Sequence, residues 1–543
     1  MPHWIDELAE KLLQYLESHF DKISEPIILN GGLSVSGLQH VGRLRGEITL
    51  NSALRYALEE RGYKVKQFLT LYTQDEWKGK KPQIEAFDNP SEARKYIGFR
   101  LIDVPDPKGC HKNWVEHFWD DFGGVLDHFA PDVNVITTTQ LYKDKLKKYV
   151  KIAIQRADHV RKIINKYRKR KPFPENWLPL LPRCEKCGRI GKAKILEVNL
   201  DKYTVKYRCE CGFEGESSIE TGKLNWRIEW SAIWAALGVH FEPYGKDHAT
   251  PGGSRDSASE LSIEIFGRAP PFGTPYEWVG VLNPDRTKKV MGSSDFVGFT
   301  PRQWYEVAEP EVLRYIYLTV PIMKQVFLGL HKVPEYTNNF DFGERIYFGE
   351  ESAEDVEEIK RAYELAVMYN KPQSCPFRLS FSHAALLVQV ISEENFLEEA
   401  IARLKETGIL KKELDLTERK LLETRLNKAK NWVKYYAPDN MRISIISFEE
   451  SIKIAKDAIL LVKDKSKQIK MLIDKFTSIP WALDAIKESM KEITATFDDN
   501  KAIKDFFRAL YLVFLGKSFG PRMAPLLTLL QREDVIRRIK LLI

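Results

Sequence analysis

The spacing of apolar and polar positions near the N-terminus predicts a helix followed by one unit of a nucleotide-binding sheet. Apolar residues recur every three to four positions over 1–24, as on one face of a helix. Residues 26–32 are typical of a strand that runs into a glycine turn, a helical pattern then extends to about Arg61, and 63–71 is typical of a second strand. Strand, glycine-rich turn, helix and strand form the βαβ unit of a parallel sheet, so we expect an α/β fold.

A second helical pattern carries a concentration of positive charge. Residues 143–171 contain thirteen Lys and Arg against two acids, a net charge of +11 in a chain whose total is +7. The periodicity predicts one helix with a buried stripe and a basic outer face. Such a face is either a phosphate-binding surface or an ordinary solvated surface, and the charge density balances the two interpretations. The apolar stripe comprises Leu146, Val150, Ala153, Ala157, Val160, Ile164 and Tyr167.

The remaining pattern and the composition exclude several classes of protein. Strand and helix patterns alternate from about Leu224 to Phe299, and beyond about Pro334 the pattern is mostly helical. Hydrophobic residues make up 43% of the 543 residues, which excludes a disordered chain. No apolar run approaches the ~18–20 residues of a membrane span, and the amphipathic start resembles neither a signal nor a transit peptide. We therefore expect a soluble, cytoplasmic protein with no membrane partner.

Four of the six cysteines lie close together in the sequence. Cys184 and Cys187 form one pair, Cys209 and Cys211 form another, and the stretch between them is typical of two strands. Such a short β module has little core of its own, so a tetrahedral site for structural Zn²⁺ would supply its folding energy. Four free cysteines are the alternative interpretation.

A candidate phosphate site follows the first predicted strand. His40-Val-Gly42-Arg43 lies at the start of a helix, where backbone N–H groups and the positive end of the helix dipole face a bound phosphate. An imidazole there can donate a hydrogen bond to charge that develops on a triphosphate. The motif H-x-G is common by chance, so the interpretation depends on its position and on two later motifs.

These later motifs have compatible chemistry. Gly245-Lys-Asp247-His248 is a polar turn at the end of a predicted strand, followed closely by a glycine pair, and it suits contacts with ribose and adenine. Residues 288–294 form a basic loop, Lys-Lys-Val-Met-Gly-Ser-Ser, able to close over phosphates. Each motif alone is more often an ordinary turn or surface loop. All three motifs in this order and at this spacing occur together by chance much less often than any one of them does alone.

The order of the three motifs resembles that of the class I aminoacyl-tRNA synthetases, with their HIGH and KMSKS signatures. Further stretches are similar to the archaeal class I lysyl-tRNA synthetases, and the resemblance covers nearly the whole chain. These stretches are residues 3–4, 104–111, 174–177, 224–248, 276–280, 345–349 and 427–438.

This resemblance implies a fold and a division into domains. It implies a Rossmann-type catalytic domain interrupted by an insertion with a zinc-ribbon module, followed by a stem-contact region and an all-α anticodon-binding helix cage. It also implies a monomer. The implied bounds are 1–110 and 223–300 for the two halves of the catalytic domain, 111–222 for the connective insertion, 301–375 for the stem-contact region and 376–543 for the cage.

The resemblance also implies a reaction. L-lysine is activated with ATP and Mg²⁺ to lysyl-adenylate, and the lysyl group passes to the 3′-terminal adenosine of tRNA(Lys). Such a reaction needs no nucleophilic side chain, because positioning and charge stabilisation suffice. The implied catalytic residues are His40, Lys289 and Ser293, and the implied ATP contacts are Gly37, His40, Gly42, Gly245, Asp247, His248 and Lys289. The implied amino-acid site comprises Gly32, Ser34, Trp226, Glu229 and Tyr276, with Glu229, or else Glu277, as the partner of a lysine ammonium.

Three positions depart from the family pattern. Arg43 stands where the motif usually ends in Asn, and only Asp75 remains of an acidic stretch after the second strand. The loop at 288–294 lacks at least one lysine of KMSKS in either register. Arg43 or Lys288 could replace the charge of that lysine.

These departures leave two alternative functions open. Loss of a signature lysine suggests a tRNA-binding paralogue with weakened catalysis. Ser34 stands where Thr is usual and Glu229 where Asp is usual, which suggests a class I synthetase with shifted amino-acid specificity.

Overall fold

The fold was examined in a computed structural model, which describes residues 3–20, 26–168, 171–392 and 395–543. The chain forms two compact units. The first comprises residues 1–305, 310–329 and 342–371, and the second comprises 306–309, 330–341 and 372–543. Within the described residues, no helix combines the length and apolar character needed to cross a membrane.

A parallel sheet forms the centre of the first unit. Its strands are β1 (Ile27–Leu33), β2 (Val65–Leu71) and β3 (Asn134–Thr137), in the order β1-β2-β3. All pairs are parallel, which confirms the predicted βαβ unit. On the other side of β1, Phe241 forms a parallel bridge with Leu29, and Phe272 forms one with Phe241. The chain thus builds outward from β1 in one direction and then in the other, which is the doubly wound order of nucleotide-binding sheets.

The chain up to residue 367 also forms fifteen α-helices within the described residues, and the further strands belong to separate small sheets. The helices up to residue 367 are Trp4–His19, Asn51–Glu60, Lys81–Glu85, Pro90–Ala93, Trp114–Gly123, Leu126–Phe129, Thr138–Lys143, Lys147–Gln155, Ala157–Tyr167, Trp226–Leu237, Ser254–Phe266, Pro301–Val307, Pro310–Thr319, Val333–Tyr347 and Val356–Val367. The further strands are Leu180–Leu181, Ala193–Asn199, Thr204–Cys209, Glu214–Ser218, Lys223–Leu224, Tyr244–Gly245, Pro275–Tyr276, Val279–Leu282, Lys288–Val290 and Val326–Leu328.

The basic segment forms two helices, so the prediction of one continuous helix was wrong. The helices Lys147–Gln155 and Ala157–Tyr167 meet at Arg156, whose φ of −105° and ψ of 22° are not helical. The Arg156 guanidinium donates hydrogen bonds to the backbone oxygens of Glu264 and Ile265, at the C-terminal end of the helix Ser254–Phe266. This capping contact satisfies orphan carbonyls and accounts for the break.

The predicted division between a buried stripe and a basic face is present in both helices. Val150, Ala153, Val160 and Ile164 are all buried. Acids from outside the segment neutralise part of the basic face, since Lys147 pairs with Glu220 and Lys166 with Glu260. Lys169 and Arg170 lie outside the described residues.

Described residues 372–392 and 395–543 of the second unit contain helices and no strand. The helix Leu416–Tyr435 contains Arg425, which is buried and paired with two buried carboxylates. Arg425 Nε lies 2.7 Å from Glu309 Oε1, and Nη1 lies 2.8 Å from Asp341 Oδ2. The helices are Phe381–Leu387, Phe396–Glu406, Leu416–Tyr435, Phe448–Val462, Ser466–Ser478, Leu483–Thr494, Asn500–Leu515, Met523–Thr528 and Arg532–Ile539.

We expect Arg425→Met to destabilise the protein by about 3–5 kcal/mol, because it removes the central cation from a buried, hydrogen-bonded charge cluster. Arg419→Met is the matched control, since Arg419 lies on the same helix, is 34% exposed and pairs with the exposed Glu398. The control should cost less than about 1 kcal/mol. Denaturant unfolding of the full chain measures both, and equal losses would contradict the role of burial.

Candidate active site

A cavity of about 830 Å³ lies at the carboxyl end of β1, between the β1 loop and the segment that follows Phe241. This is the position where the strand order of the sheet reverses. Ligands of doubly wound sheets bind there, because the loops on the two sides diverge and leave a crevice. The topology therefore places the candidate site before any side chain is considered.

The cavity brings together most of the residues that the sequence singled out. Segments more than two hundred residues apart contribute to its wall. Gly37 and Lys289 are not among the lining residues. The sequence-derived site residues that line the cavity are Gly32, Ser34, His40, Gly42, Trp226, Glu229, Gly245, Asp247, His248, Tyr276 and Ser293.

His40 stands at the start of an irregular helical segment. A 3₁₀ turn, Val41–Leu44, and a π-helical turn, Arg45–Leu50, precede the α-helix Asn51–Glu60. Burial, with the nearby Arg43, lowers the pKa of His40 to about 3, so its imidazole is neutral at physiological pH. It can donate a hydrogen bond without carrying a charge.

Gly42 allows the His40 ring to fold back. A Cβ at Gly42 would lie 2.9 Å from His40 Nδ1 and 3.0 Å from the Val279 side chain. The H-x-G spacing therefore has a packing reason here, in addition to any contact with a ligand.

The loop of residues 288–294, which we call the signature loop, ends in a tight turn. Gly292 N donates to Val297 O at 2.9 Å, and Val297 N donates to Gly292 O at 3.1 Å. Arg43 Nε donates to Ser293 Oγ at 2.8 Å, which joins the loop to the turn after His40. Gly37 packs behind this turn, because a Cβ there would lie 2.5 Å from Ser293 O. Its contribution to the site is therefore steric.

The two lysines at the start of the loop do not reach the cavity. Lys289 lies in the strand Lys288–Val290, where residue 289 is exposed. The Lys288 ammonium lies over the Phe327 ring, 4.7 Å from its centre. Of the two replacements considered for the missing lysine, Arg43 lines the cavity and Lys288 does not.

Glu229 has a different partner from the one expected. Its carboxylate is fully buried and contacts the Lys223 ammonium, and it accepts a hydrogen bond from Tyr142 OH at 2.7 Å. Lys223 also lies 2.9 Å from Asp75 Oδ1. A lysine of the chain itself thus neutralises the Glu229 carboxylate. The carboxylate does not need a substrate ammonium to balance its charge. Glu277, the other candidate, pairs with Lys246 at 2.7 Å.

Two buried carboxylates that the sequence reasoning left unassigned line the cavity. Glu47 accepts a hydrogen bond from Tyr276 OH through Oε1, while its Oε2 accepts no hydrogen bond from the described residues, although the Arg43 charge is close enough to act on the carboxylate. Burial raises the pKa of Glu47 to about 7. Glu242 accepts hydrogen bonds from Asn30, Trp230 and Trp234, and burial raises its pKa. In the sequence, Glu47 follows His40 and Glu242 precedes Gly245. This closeness to two motifs was the signal that could have identified them as site residues.

An aromatic wall stands beside these carboxylates. Trp226 and Trp230 stack with their ring centres 5.6 Å apart, and the His248 ring lies 5.4 Å from Trp226 and 5.5 Å from Trp230. Trp226 is 39% exposed. Such a wall suits a planar base or the methylene chain of an amino acid.

The four clustered cysteines have the arrangement of a metal site. Their Sγ atoms all lie within 4.8 Å of one another, with 3.8 Å between Cys184 and Cys211 and 3.7 Å between Cys187 and Cys209. A tetrahedron with Zn–S bonds of ~2.3 Å has S–S edges of about 3.8 Å, so the four residues fit Zn²⁺. Three antiparallel strands, Ala193–Asn199, Thr204–Cys209 and Glu214–Ser218, carry the second pair.

A second cluster, made of Asp106, Cys110, His111 and His117, could also hold a metal. Its ligand atoms lie within 4.8 Å of one another, and the Asp106 carboxylate contacts His117 Nδ1 at 3.0 Å and His111 Nδ1 at 3.3 Å. Asp106, Cys110 and His111 lie in the family-like stretch 104–111, whereas His117 lies outside it, and the spacing of the four residues does not form a common motif.

A doubly wound sheet with a cavity at the reversal of strand order defines a nucleotide-binding α/β protein. The family model of the tRNA synthetases class I (K) matches residues 2–369. The chain therefore belongs to this family.

Known relatives extend over the whole chain. A lysine–tRNA ligase from Aeropyrum pernix is 44% identical over 99% of this chain and 97% of its own length. One from Pyrococcus horikoshii is 32% identical over 100% of both chains. A solved glutamate tRNA ligase from Elizabethkingia meningosepticum has a TM-score of 0.36 and 12% identity over 95% of this chain and 99% of that chain.

We expect Glu47→Gln to change how stability depends on pH. The pKa of Glu47 is raised from 4.5 to about 7 in the folded state, so ionisation of the unfolded chain destabilises the wild type as pH rises between these values. The variant lacks this carboxyl group and does not lose this stability. Its free energy of unfolding, minus that of the wild type, should therefore rise by on the order of 1–3 kcal/mol from pH 4.5 to pH 7 and then level off. Unfolding of both proteins across this range measures the difference. Parallel pH profiles of the two proteins would contradict a raised pKa of Glu47.

Proposed function

We propose that this chain is a lysine–tRNA ligase, which joins L-lysine to tRNA(Lys) at the expense of ATP. The observation that carries the proposal is the cavity at the reversal of strand order, where His40, Gly42, Asp247, His248 and Ser293 meet. Membership of the class I tRNA synthetases (K) and full-length similarity to lysine–tRNA ligases support the same activity.

In the first step, a carboxylate oxygen of lysine attacks the α-phosphorus of ATP, bound with Mg²⁺, and pyrophosphate leaves. His40 and Ser293 would donate hydrogen bonds to the phosphates, while Gly42, Gly245, Asp247 and His248 would surround the adenosine. Lys289 would reach the phosphates only after movement of its loop toward the cavity. In the second step, a hydroxyl of the terminal adenosine of the tRNA takes the lysyl group. Positioning and charge stabilisation supply the catalysis in both steps.

Lysine recognition needs an anionic partner for its side-chain ammonium, because a buried unpaired ammonium is costly. We propose Glu47 for this role, since it lines the cavity and keeps one carboxylate oxygen without a hydrogen bond from the described residues. Tyr276, which donates to the other oxygen, fixes its orientation. Gly32 and Ser34 at the end of β1, with Trp226, would surround the rest of the amino acid, and Glu229 would act through Lys223.

The tRNA would contact the basic face of the helices Lys147–Gln155 and Ala157–Tyr167, and the helices of residues 376–543 would form the anticodon-binding cage. The retained His40-Val-Gly42 and Gly245–His248 motifs, which both line the cavity, argue against a paralogue without catalysis. We propose Zn²⁺ at the four cysteines as a structural ion, because four thiolates leave no open position for substrate.

Charging of tRNA(Lys) transcript with each standard amino acid, in the presence of ATP and Mg²⁺, tests the function. We expect lysine alone to be incorporated. Glu47→Gln should raise the KM for lysine at least about 30-fold, because it removes one partner of a buried charge pair. Glu76→Gln on the cavity rim is the control and should leave KM unchanged. Incorporation of another amino acid would reject the assigned specificity, and tRNA binding without incorporation would favour the paralogue.

Metal analysis of the purified protein tests the cysteine site. We expect Cys187→Ser to lower the zinc content by about one ion per chain, because three thiolates hold Zn²⁺ less tightly than four. Cys375→Ser, outside the cluster, is the matched control and should leave the content unchanged. Equal zinc content in the wild type and both variants would show that these cysteines do not bind the metal.

A further inference from the structure

Lys80 reaches the signature loop from a segment that neither the motifs nor the family resemblance assigned to catalysis. Its Nζ donates to Ser294 Oγ at 2.7 Å and lies 3.2 Å and 3.4 Å from the two carboxylate oxygens of Asp295. Lys80, Ser294 and Ser293 all line the cavity, so this ammonium stands where the loop faces the site.

The segment that carries Lys80 is fixed against the phosphate-binding turn. Lys80 N donates to Gln83 Oε1 at 2.8 Å, and Gln83 Nε2 donates to Ser36 O at 2.8 Å, four residues before His40. Gln83 is buried, and so is Trp77. The backbone of Lys80 is therefore anchored, while its side chain is 43% exposed and able to turn toward a ligand.

Within the described residues, four other cations near the loop or in the cavity wall are engaged or do not line the cavity, while Lys78 lines the cavity without a hydrogen bond or ion pair to the loop. Lys223 is neutralised by Glu229 and Asp75, and Arg43 donates to Ser293. Lys288 lies over Phe327, and Lys289 does not line the cavity. Among the described lysines that line the cavity, Lys80 is the one that contacts the loop, next to Ser293, where one register of the family pattern has its second lysine.

The contact with Asp295 is easily given up. The Asp295 side chain is 59% exposed, and exposed ion pairs contribute little net free energy because water solvates both partners. A triphosphate offers several charged oxygens at once and forms stronger charge-assisted hydrogen bonds. Asp295 therefore holds the ammonium close to the cavity without preventing its transfer to phosphate.

We propose that Lys80 is a catalytic residue that supplies, from outside the signature loop, the cation that the loop lacks. Its ammonium binds the β- and γ-phosphates of ATP. As the lysine carboxylate oxygen bonds to the α-phosphorus, the bond from that phosphorus to the bridging oxygen breaks, and the electron pair leaves on pyrophosphate, whose charge Lys80 stabilises. This inference rests on the proposed ligase function.

Lysine-dependent ATP–pyrophosphate exchange, with tRNA(Lys) present, provides the first test. We expect Lys80→Ala to lower kcat about 100-fold, as removal of a group that stabilises transition-state charge does. Adding Ser294→Lys to that variant should restore most of the rate, because it returns a cation to the loop. Lys81→Ala is the matched control, since this neighbouring side chain is 84% exposed and pairs with Glu85.

Asp295→Asn separates catalysis from simple attachment of the loop. It breaks the ion pair but leaves the Lys80 ammonium, so we expect a rate within about threefold of the wild type. A rate for Lys80→Ala within threefold of the wild type would overturn the proposal. Equal losses of exchange rate in Lys80→Ala and Asp295→Asn, without rescue by Ser294→Lys, would also overturn it. Lys80 would then only attach the loop to the rest of the protein.

Equilibrium binding of ATP and AMP distinguishes failure of this inference from failure of the ligase proposal. Lys80→Ala should weaken ATP binding at least about tenfold and leave AMP binding unchanged, because AMP lacks the β- and γ-phosphates. If the wild type shows no lysine-dependent exchange, the ligase function is wrong, and this comparison still decides the role of Lys80. Equal ATP affinities of the variant and the wild type would reject it.

Discussion

The reversal of strand order at β1 is the constraint on which the site depends. Because β2 and β3 lie on one side of β1 and the Phe241 and Phe272 segments on the other, the loops at the carboxyl ends diverge. One wall of the resulting cavity then comes from residues 32–47 and the opposite wall from residues 226–248. Motifs separated by some two hundred positions in the sequence meet only because the sheet is wound in this way.

The second organising principle is the neutralisation of charge inside the protein before any substrate arrives. Lys223 satisfies Glu229 and Asp75, and three side-chain donors satisfy Glu242. Glu47 is the exception, since one oxygen accepts no hydrogen bond from the described residues and its pKa is raised to about 7 by burial. A cavity with most of its charges already balanced can discriminate through the few that are not.

Local patterns in the sequence predicted the parallel βαβ unit and the buried stripe of the basic helices, and the motifs together with the family resemblance singled out eleven of the residues that line the cavity. Long-range contacts account for what local patterns did not predict. The break at Arg156 depends on carbonyls of another helix about a hundred residues away, and the pairing of Glu229 depends on Lys223, whose charge has no visible partner in the sequence. Lys289 matched a motif by spacing, but spacing does not determine which way a loop strand faces. The bounds of the five predicted segments stay a prediction.

The hydrogen bond between Arg43 and Ser293 has an evolutionary consequence. Arg43 is one departure from the family pattern, and the altered loop that contains Ser293 is another, yet the two are in direct contact. Because the two side chains are in contact, we expect the energetic effect of substituting either residue to depend on the other. Exchanging the turn after His40 between this chain and a relative without exchanging the loop would bring together two halves that have not been selected to fit.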